Sequence, residues 1–340
     1  MLRLPKFELR QPESLDAAIG ALSEFGPHAM VLAGGTDLLP NMKHELFTPG
    51  VLVSLGRIGE LRGITRTADA TLVVGAMTTL AEVARSELVC RQAPCLAQAA
   101  SLVAGPQLRR AGTLGGNVLL DTRCQYYNQS YFWRSALGFC LKKDGTVCHV
   151  VAGGSRCVAA ASADTAPALM TLGAVLEIAG PDGRRDVPID DFWVGDGIVN
   201  RRLSPGEILV AVRIPPVPPG HRGAYGKLRE RGSIDFPLLG VATRLDLDAE
   251  GVVEGADVVL TALAARPKRV NGVLAALCGA RPGTAAFDEA VRKVAEAAYR
   301  QCHTLANVPG DESWRREMIP VYARRTLHAA AMGGGPVHHV

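Results

Sequence analysis

The chain has 340 residues, 48% hydrophobic and 21% charged, so it can bury a substantial core and does not read as disordered. That length suggests two domains, at most three, and a net charge of +4 spread over scattered Lys and Arg leaves no nucleic-acid footprint. Met1-Leu2-Arg3-Leu4-Pro5-Lys6 carries no apolar signal core and no run reaches membrane-spanning length. The expectation is a soluble, cytoplasmic chain with no membrane partner, whose eight cysteines stay reduced rather than forming a disulfide framework.

In chain order, Ser14 to Phe25 reads as a helix, with Ser14 as N-cap and Leu15, Ala18, Ile19 and Leu22 as its apolar stripe. Gly26-Pro27 ends it. A short strand from His28 to Ala33 runs into Gly34-Gly35-Thr36-Asp37-Leu38. Paired glycines let backbone N–H groups converge on an anion, and a Thr hydroxyl adds a donor, although a plain tight turn is the commoner use of Gly-Gly. Strands are expected at Val51–Leu55 and Leu72–Gly75. Thr79 and Glu82 form a capping box, and Pro94 starts a helix to about Val103. Cys90 and Cys95 match no metal or redox spacing and read as core thiols.

Thr113-Leu114-Gly115-Gly116-Asn117 repeats the logic of the first loop about 80 positions later. Two such loops together would pinch a diphosphate. Neither the dinucleotide fingerprint G-x-G-x-x-G nor the P-loop pattern occurs, which disfavours a Rossmann or P-loop site.

Four cysteines follow, Cys124, Cys140, Cys148 and Cys157, spaced C-x15-C-x7-C-x8-C. A zinc finger or ribbon usually shows one close C-x2–4-C knuckle, absent here. Four thiolates hold either zinc or an iron–sulfur cluster. Tyr126, Tyr127, Tyr131, Phe132, Trp133 and Phe139 crowd between the first two and read as a dry shell, which favours a cluster. The plainer alternative is an aromatic loop with reduced thiols. Arg123, Arg134, Lys142 and Lys143 would offset thiolate charge or simply be solvated, and His149 reads as a neighbour rather than a ligand.

Asp164 to Leu172 is expected as a helix capped by Asp164, Ala174–Ala179 and Glu207–Ile214 as strands, and Pro215-Pro216-Val217-Pro218-Pro219-Gly220 as an inter-domain linker. Beyond it come three strands (Ala224–Glu230, Leu238–Leu247, Val252–Thr261) and then helices at Val270–Leu277, Ala285–His303 and Trp314–Ala331. This is an α+β pattern. Cys278 and Cys302 stand alone, and the Gly-rich tail from 331 to 340 reads as disordered.

The two glycine loops resemble those of the flavoprotein (medium) subunits of the xanthine oxidase family of molybdenum hydroxylases, and the resemblance covers almost the whole chain. It implies a two-subdomain FAD-binding domain of the vanillyl-alcohol-oxidase-like type over 1–217, with subdomains of about 1–56 and 57–217. A C-terminal α+β domain like that of carbon monoxide dehydrogenase flavoproteins, a three-stranded sheet with helices, would span 221–330. It implies that Val31, Leu32, Ala33, Gly34, Gly35, Thr36, Asp37, Leu38, Thr113, Leu114, Gly115, Gly116 and Asn117 bind FAD. Val103 would pack near the cofactor, Asp164 would hydrogen-bond its adenosine or ribityl region, and Leu209 and Lys227 match further family contacts.

In most of that family the Gly-Gly-Asn loop runs within a few residues into a Ser-Asp and Pro-Ala-Leu segment, here Ser162 to Leu169. About 40 residues, a loop over 122–160, intervene in this chain and carry all four clustered cysteines. With Asp121-Thr122-Arg123-Cys124, this insertion is similar to that of the β subunits of 4-hydroxybenzoyl-CoA reductases, where such a loop holds a [4Fe–4S] cluster. Cys124, Cys140, Cys148 and Cys157 would then be its ligands.

The implied function is electron transfer between a low-potential carrier such as ferredoxin and partner subunits carrying [2Fe–2S] centres and molybdopterin, in a dimer of heterotrimers. The complex would remove the phenolic hydroxyl of 4-hydroxybenzoyl-CoA, with substrate chemistry in another subunit and no catalytic residue here. Two alternatives stay open: the same role in a hydroxylase or dehydrogenase of another aromatic or heterocyclic substrate, and a zinc-stabilised, flavin-free assembly module.

Overall fold

A computed structural model describes residues 2–335 and Val337. The chain folds around three sheets. The first is parallel, with β1 (Glu8–Arg10), β2 (Ala29–Leu32) and β3 (Val51–Ser54) in the order β1-β3-β2. The helix Leu15–Phe25 connects β1 to β2. Ser14 Oγ accepts the Ala17 N–H at 3.2 Å, which satisfies one of the free donors at the helix start, and Leu15, Ala18 and Leu22 are buried.

The second sheet is antiparallel and five-stranded: β4 (Ile64–Arg66), β5 (Leu72–Gly75), β6 (Val175–Gly180), β7 (Gly183–Pro188) and β8 (Ile208–Ile214), in the order β4-β5-β8-β6-β7. Leu72, Val74, Leu176, Ile178, Leu209 and Val212 share a buried cluster with Leu96, Ala100, Leu114, Val118 and Leu169 of the helices Pro94–Leu102, Leu114–Val118 and Thr165–Thr171. Another cluster, with Leu15, Val53, Leu61, Met77, Ile208 and Val210, joins this sheet to the first.

The third sheet holds β9 (His221–Leu228), β10 (Leu239–Leu247), β11 (Val253–Thr261) and β12 (Lys268–Arg269), antiparallel in the order β12-β11-β10-β9. It has four strands rather than three, because Lys268 and Arg269 pair with Leu260 and Val259. Two residues between Pro267 and Val270 carry too little pattern to read as a strand. The helices Ala285–Gln301 and Glu312–Ala331 bury Phe287, Val291, Ile319, Tyr322 and Leu327 with Val241, Leu245 and Leu260.

Pro215–Gly220 joins the domains without swinging them apart: Tyr225, Ala242 and Val259 lie in the same buried cluster as Leu96 and Leu169. The segment after 330, expected as a disordered tail, is ordered in part. The helix continues to Ala331, Gly334 donates to Ala329 O at 2.8 Å, and Val337 donates to Tyr225 O at 3.0 Å. Pro336 and residues 338–340 lie outside the described residues.

The insertion leaves and rejoins this frame at one point. Arg123 and Ala160 exchange both backbone hydrogen bonds, at 2.8 and 2.7 Å, and close its base like the stem of a loop. Inside it, one helix, Tyr131–Ala136, is capped by Ser130 Oγ. The rest is turns around a small core of Tyr127, Cys140 and Leu46.

Candidate functional site

The strand β2 delivers Val31 and Leu32 to the sheet's end, and Ala33 to Asp37 form the turn into the helix Leu38–Lys43. Among the described residues, the backbone N–H groups of Gly34, Gly35, Thr36 and Asp37 find no acceptor. Four consecutive free donors in a turn make an anion-binding concavity. Gly35 sits at φ +69°, where side chains are strained, and a Cβ on Gly34 would overlap the Ala111 carbonyl oxygen. That close approach seats the first loop on the start of the second.

The second loop is built differently from its apparent twin. Thr113 Oγ accepts from Gly116 N–H at 3.1 Å and caps the short helix Leu114–Val118. Leu114 donates to Thr78 O at 2.9 Å and Gly115 to Ala76 O at 2.8 Å. Its N–H groups are therefore spent on the fold, and the free donors belong to the first loop. Asn117 Oδ1 accepts from Thr165 N and Thr165 Oγ, at 3.1 and 2.6 Å, so it fixes the start of the next helix across the whole insertion.

Asp164 was expected to cap that helix and does not. It has helical dihedrals and no side-chain cap bond. Its carboxylate accepts from Tyr225 Oη at 2.8 Å and from Lys227 Nζ at 3.0 Å. Lys227 is fully buried and also donates to Leu102 O at 3.0 Å and Asp235 O at 3.1 Å. Burial pushes the Asp164 carboxyl up, and the Lys227 ammonium and Tyr225 hydroxyl pull it back. Tyr225 and Asp235 escaped the sequence reading. Tyr225 stands two residues before Lys227 on one face of β9, and that parity was the available signal.

Val103 ends the helix Pro94–Leu102 beside this cluster, and its carbonyl accepts from Arg109 Nη1 at 2.7 Å. Leu209 is buried in β8 within the cluster that holds Leu114 and Val118. It thus lies beneath the second loop.

Cys124, Cys140, Cys148 and Cys157 line one pocket, together with Tyr126, Tyr127, Lys142 and His149. Burial raises the Cys124 thiol to about 11 and raises Cys157 as well, which favours the protonated form of these two when no metal is bound. Among the described residues no three His, Cys, Asp or Glu converge on the position of a single ion. Mononuclear zinc needs four ligands about 2.0–2.3 Å from one point. A multi-iron cluster attaches each thiolate to its own metal atom and spreads them over a wider cage. Four thiols around one pocket are donors of the type that both zinc and iron–sulfur clusters take.

The aromatic shell is thinner than expected. Only Tyr126 and Tyr127 line the pocket. Phe132 is 82% exposed, and Tyr131 and Trp133 also face solvent, because the helix Tyr131–Ala136 turns them away. The basic residues do specific work. Arg134 is buried and donates to the carbonyls of His44 and Glu45 at 3.3 and 3.2 Å, tying the insertion to the first subdomain. Lys142 donates to Asp121 at 2.9 Å and Gly197 O at 2.8 Å while lining the pocket, and Lys143 faces Asp144 at 3.8 Å. His149 Nε2 is 2.6 Å from Phe139 O, so that nitrogen is engaged. Arg123, expected near the thiolates, instead pairs with Asp37 of the first glycine loop.

Residues 5–217 match the family described as the FAD binding domain in molybdopterin dehydrogenase, and residues 224–330 match the CO dehydrogenase flavoprotein C-terminal domain. The chain is similar to the carbon monoxide dehydrogenase medium chain of Hydrogenophaga pseudoflava, 31% identical over 96% of this chain and 97% of that one. It is also 35% identical to the aldehyde oxidoreductase FAD-binding subunit of Escherichia coli K12, over 74% of this chain and 80% of the relative. A chain in the structure of reconstituted CO dehydrogenase from Oligotropha carboxidovorans superposes with a TM-score of 0.77 at 29% identity, covering 97% of this chain and 99% of its own.

Proposed function

Because this chain belongs to the FAD-binding subunits of the molybdopterin dehydrogenases, we propose that it is an electron-transfer subunit holding FAD and a [4Fe–4S] cluster. The observation that carries the cluster is the meeting of Cys124, Cys140, Cys148 and Cys157 on one pocket despite sequence gaps of 7 to 15 residues. Bound FAD exchanges one or two electrons and a cluster of this kind one, which is the chemistry these groups supply.

The chain's own residues bind and orient. The free N–H groups of Gly34 to Asp37 would hold the diphosphate, Thr113 to Asn117 would support that loop, and Asp164 and Lys227 hold the domain junction. Lys142 and Arg134 brace the cysteine loop through carbonyls and carboxylates, which fixes the pocket before any ligand enters.

A second one-electron centre in the subunit suits a one-electron donor. The reading is therefore transfer from a ferredoxin-like carrier to [2Fe–2S] and molybdopterin subunits, in a cytoplasmic dimer of heterotrimers that reductively removes the hydroxyl of 4-hydroxybenzoyl-CoA. The relatives' names, carbon monoxide dehydrogenase and aldehyde oxidoreductase, favour a second reading in which the same subunit carries electrons outward from an oxidised substrate. Assay of the purified complex with 4-hydroxybenzoyl-CoA and a reduced low-potential donor separates them. Dehydroxylation supports the first, and its absence overturns it.

A further inference from the structure

Arg123 belongs to the stem of the cysteine insertion, one residue before Cys124, yet its side chain leaves that loop. Its backbone is locked to Ala160 by two hydrogen bonds. Its guanidinium is almost fully buried and ion-pairs with the Asp37 carboxylate. Nη1 also reaches Asn41 Oδ1 at 3.4 Å, and Asn41 Nδ2 donates to Asp37 Oδ2 at 3.0 Å. The Phe236 ring covers the guanidinium with its centroid 4.4 Å away. An arginine guanidinium stays cationic in proteins, so this is a true charge pair.

The opposite partner matters as much. Asp37 is the last residue of the turn whose four N–H groups are free, and its carboxylate does not cap the helix it precedes. A carboxylate in an anion-binding turn opposes a diphosphate by like-charge repulsion, the more so at reduced local dielectric. Here that charge is paired with a cation anchored in another part of the chain and with the Asn41 amide.

We propose that Arg123 is a positioning residue for the FAD diphosphate loop: it neutralises Asp37, orients it away from the free N–H groups, and ties that loop to the stem of the cysteine insertion. This rests on the reading of the first loop as the diphosphate site. The insertion then has two separable parts. Its stem supports flavin binding, and its thiols hold the cluster.

The test uses the purified full chain, deflavinated and titrated with FAD by fluorescence quenching, with iron measured in parallel. Arg123→Gln weakens FAD binding by roughly thirtyfold or more, the low end for removing one partner of a buried charge pair, while iron content is retained. Arg123→Lys keeps part of the affinity. Arg123→Gln combined with Asp37→Asn recovers most of it, because no uncompensated carboxylate remains, and a merely structural role for Arg123 would show no such rescue. Wild-type affinity in Arg123→Gln, or a double variant no better than the single one, overturns the proposal. Absence of flavin binding in the unaltered chain would instead overturn the FAD reading itself, so the two failures are distinct.

Discussion

The Lys227 ammonium is fully buried. It depends on the Asp164 carboxylate and on the carbonyls of Leu102 and Asp235, which come from three separate segments. Breaking a buried pair strands the remaining charge, at a cost of about 3–5 kcal/mol, whereas removing both charges together is far milder. Lys227→Met should therefore lower the urea-unfolding free energy by that amount, and adding Asp164→Asn should return a good part of it. Equal destabilisation in both variants would show that the pair is not coupled. These residues also mark a limit of sequence reading. Asp164 before Thr165 has every feature of an N-cap, but its partners Tyr225 and Lys227 lie 61 and 63 positions away, and a local signal cannot weigh them. Lys227 is singled out in the sequence only by its resemblance to a family contact.

The elements that hold the second glycine loop were largely readable from local chemistry. Thr79 accepts from Glu82 N–H at 3.2 Å and donates its own N–H to Glu82 Oε2 at 2.8 Å, the reciprocal box expected from spacing alone. The same helix start receives the loop, because Leu80 donates to Gly112 O at 2.9 Å. Thr79→Ala should cost about 1 kcal/mol at neutral pH. The Thr79 hydroxyl and N–H hold the Glu82 carboxyl below its ordinary 4.5. With the folded value depressed, this contribution is present above pH 4.5 and is lost as pH falls through the folded value. The gap between the wild-type and Thr79→Ala stability curves should therefore narrow in acid, and a gap independent of pH would count against the box.

Elements without an apolar pattern were not legible. β7, Gly183–Pro188, is an exposed edge strand of charged residues, and β1 is three exposed residues whose pairing with β3 is its only strand signal. The aromatics after Cys124 misled for the opposite reason. Composition suggested burial, but Tyr131, Phe132 and Trp133 lie on a short capped helix at the surface of the insertion, and all three are exposed.

At the scale of the whole molecule, the insertion is a module hung on a closed stem. The Arg123–Ala160 pair and the Asn117–Thr165 bonds complete the flavin domain across its base, so the domain does not need the loop's contents. Cys140→Ser should accordingly abolish the cluster, seen as loss of bound iron, while most FAD is retained. Simultaneous loss of both would mean that the loop and the domain fold as one. The sequence made the module visible as an interruption of a resemblance, but not its connection to Asp37, which needs a side chain crossing between segments 86 positions apart.

In the proposed function one chain carries both redox groups. Flavin, iron, acid-labile sulfide and zinc measured on the same purified preparation test it most directly. The expected result is a yellow protein with about four iron and four sulfide per FAD, and no stoichiometric zinc. Zinc without iron, or a preparation with no flavin spectrum, would contradict it.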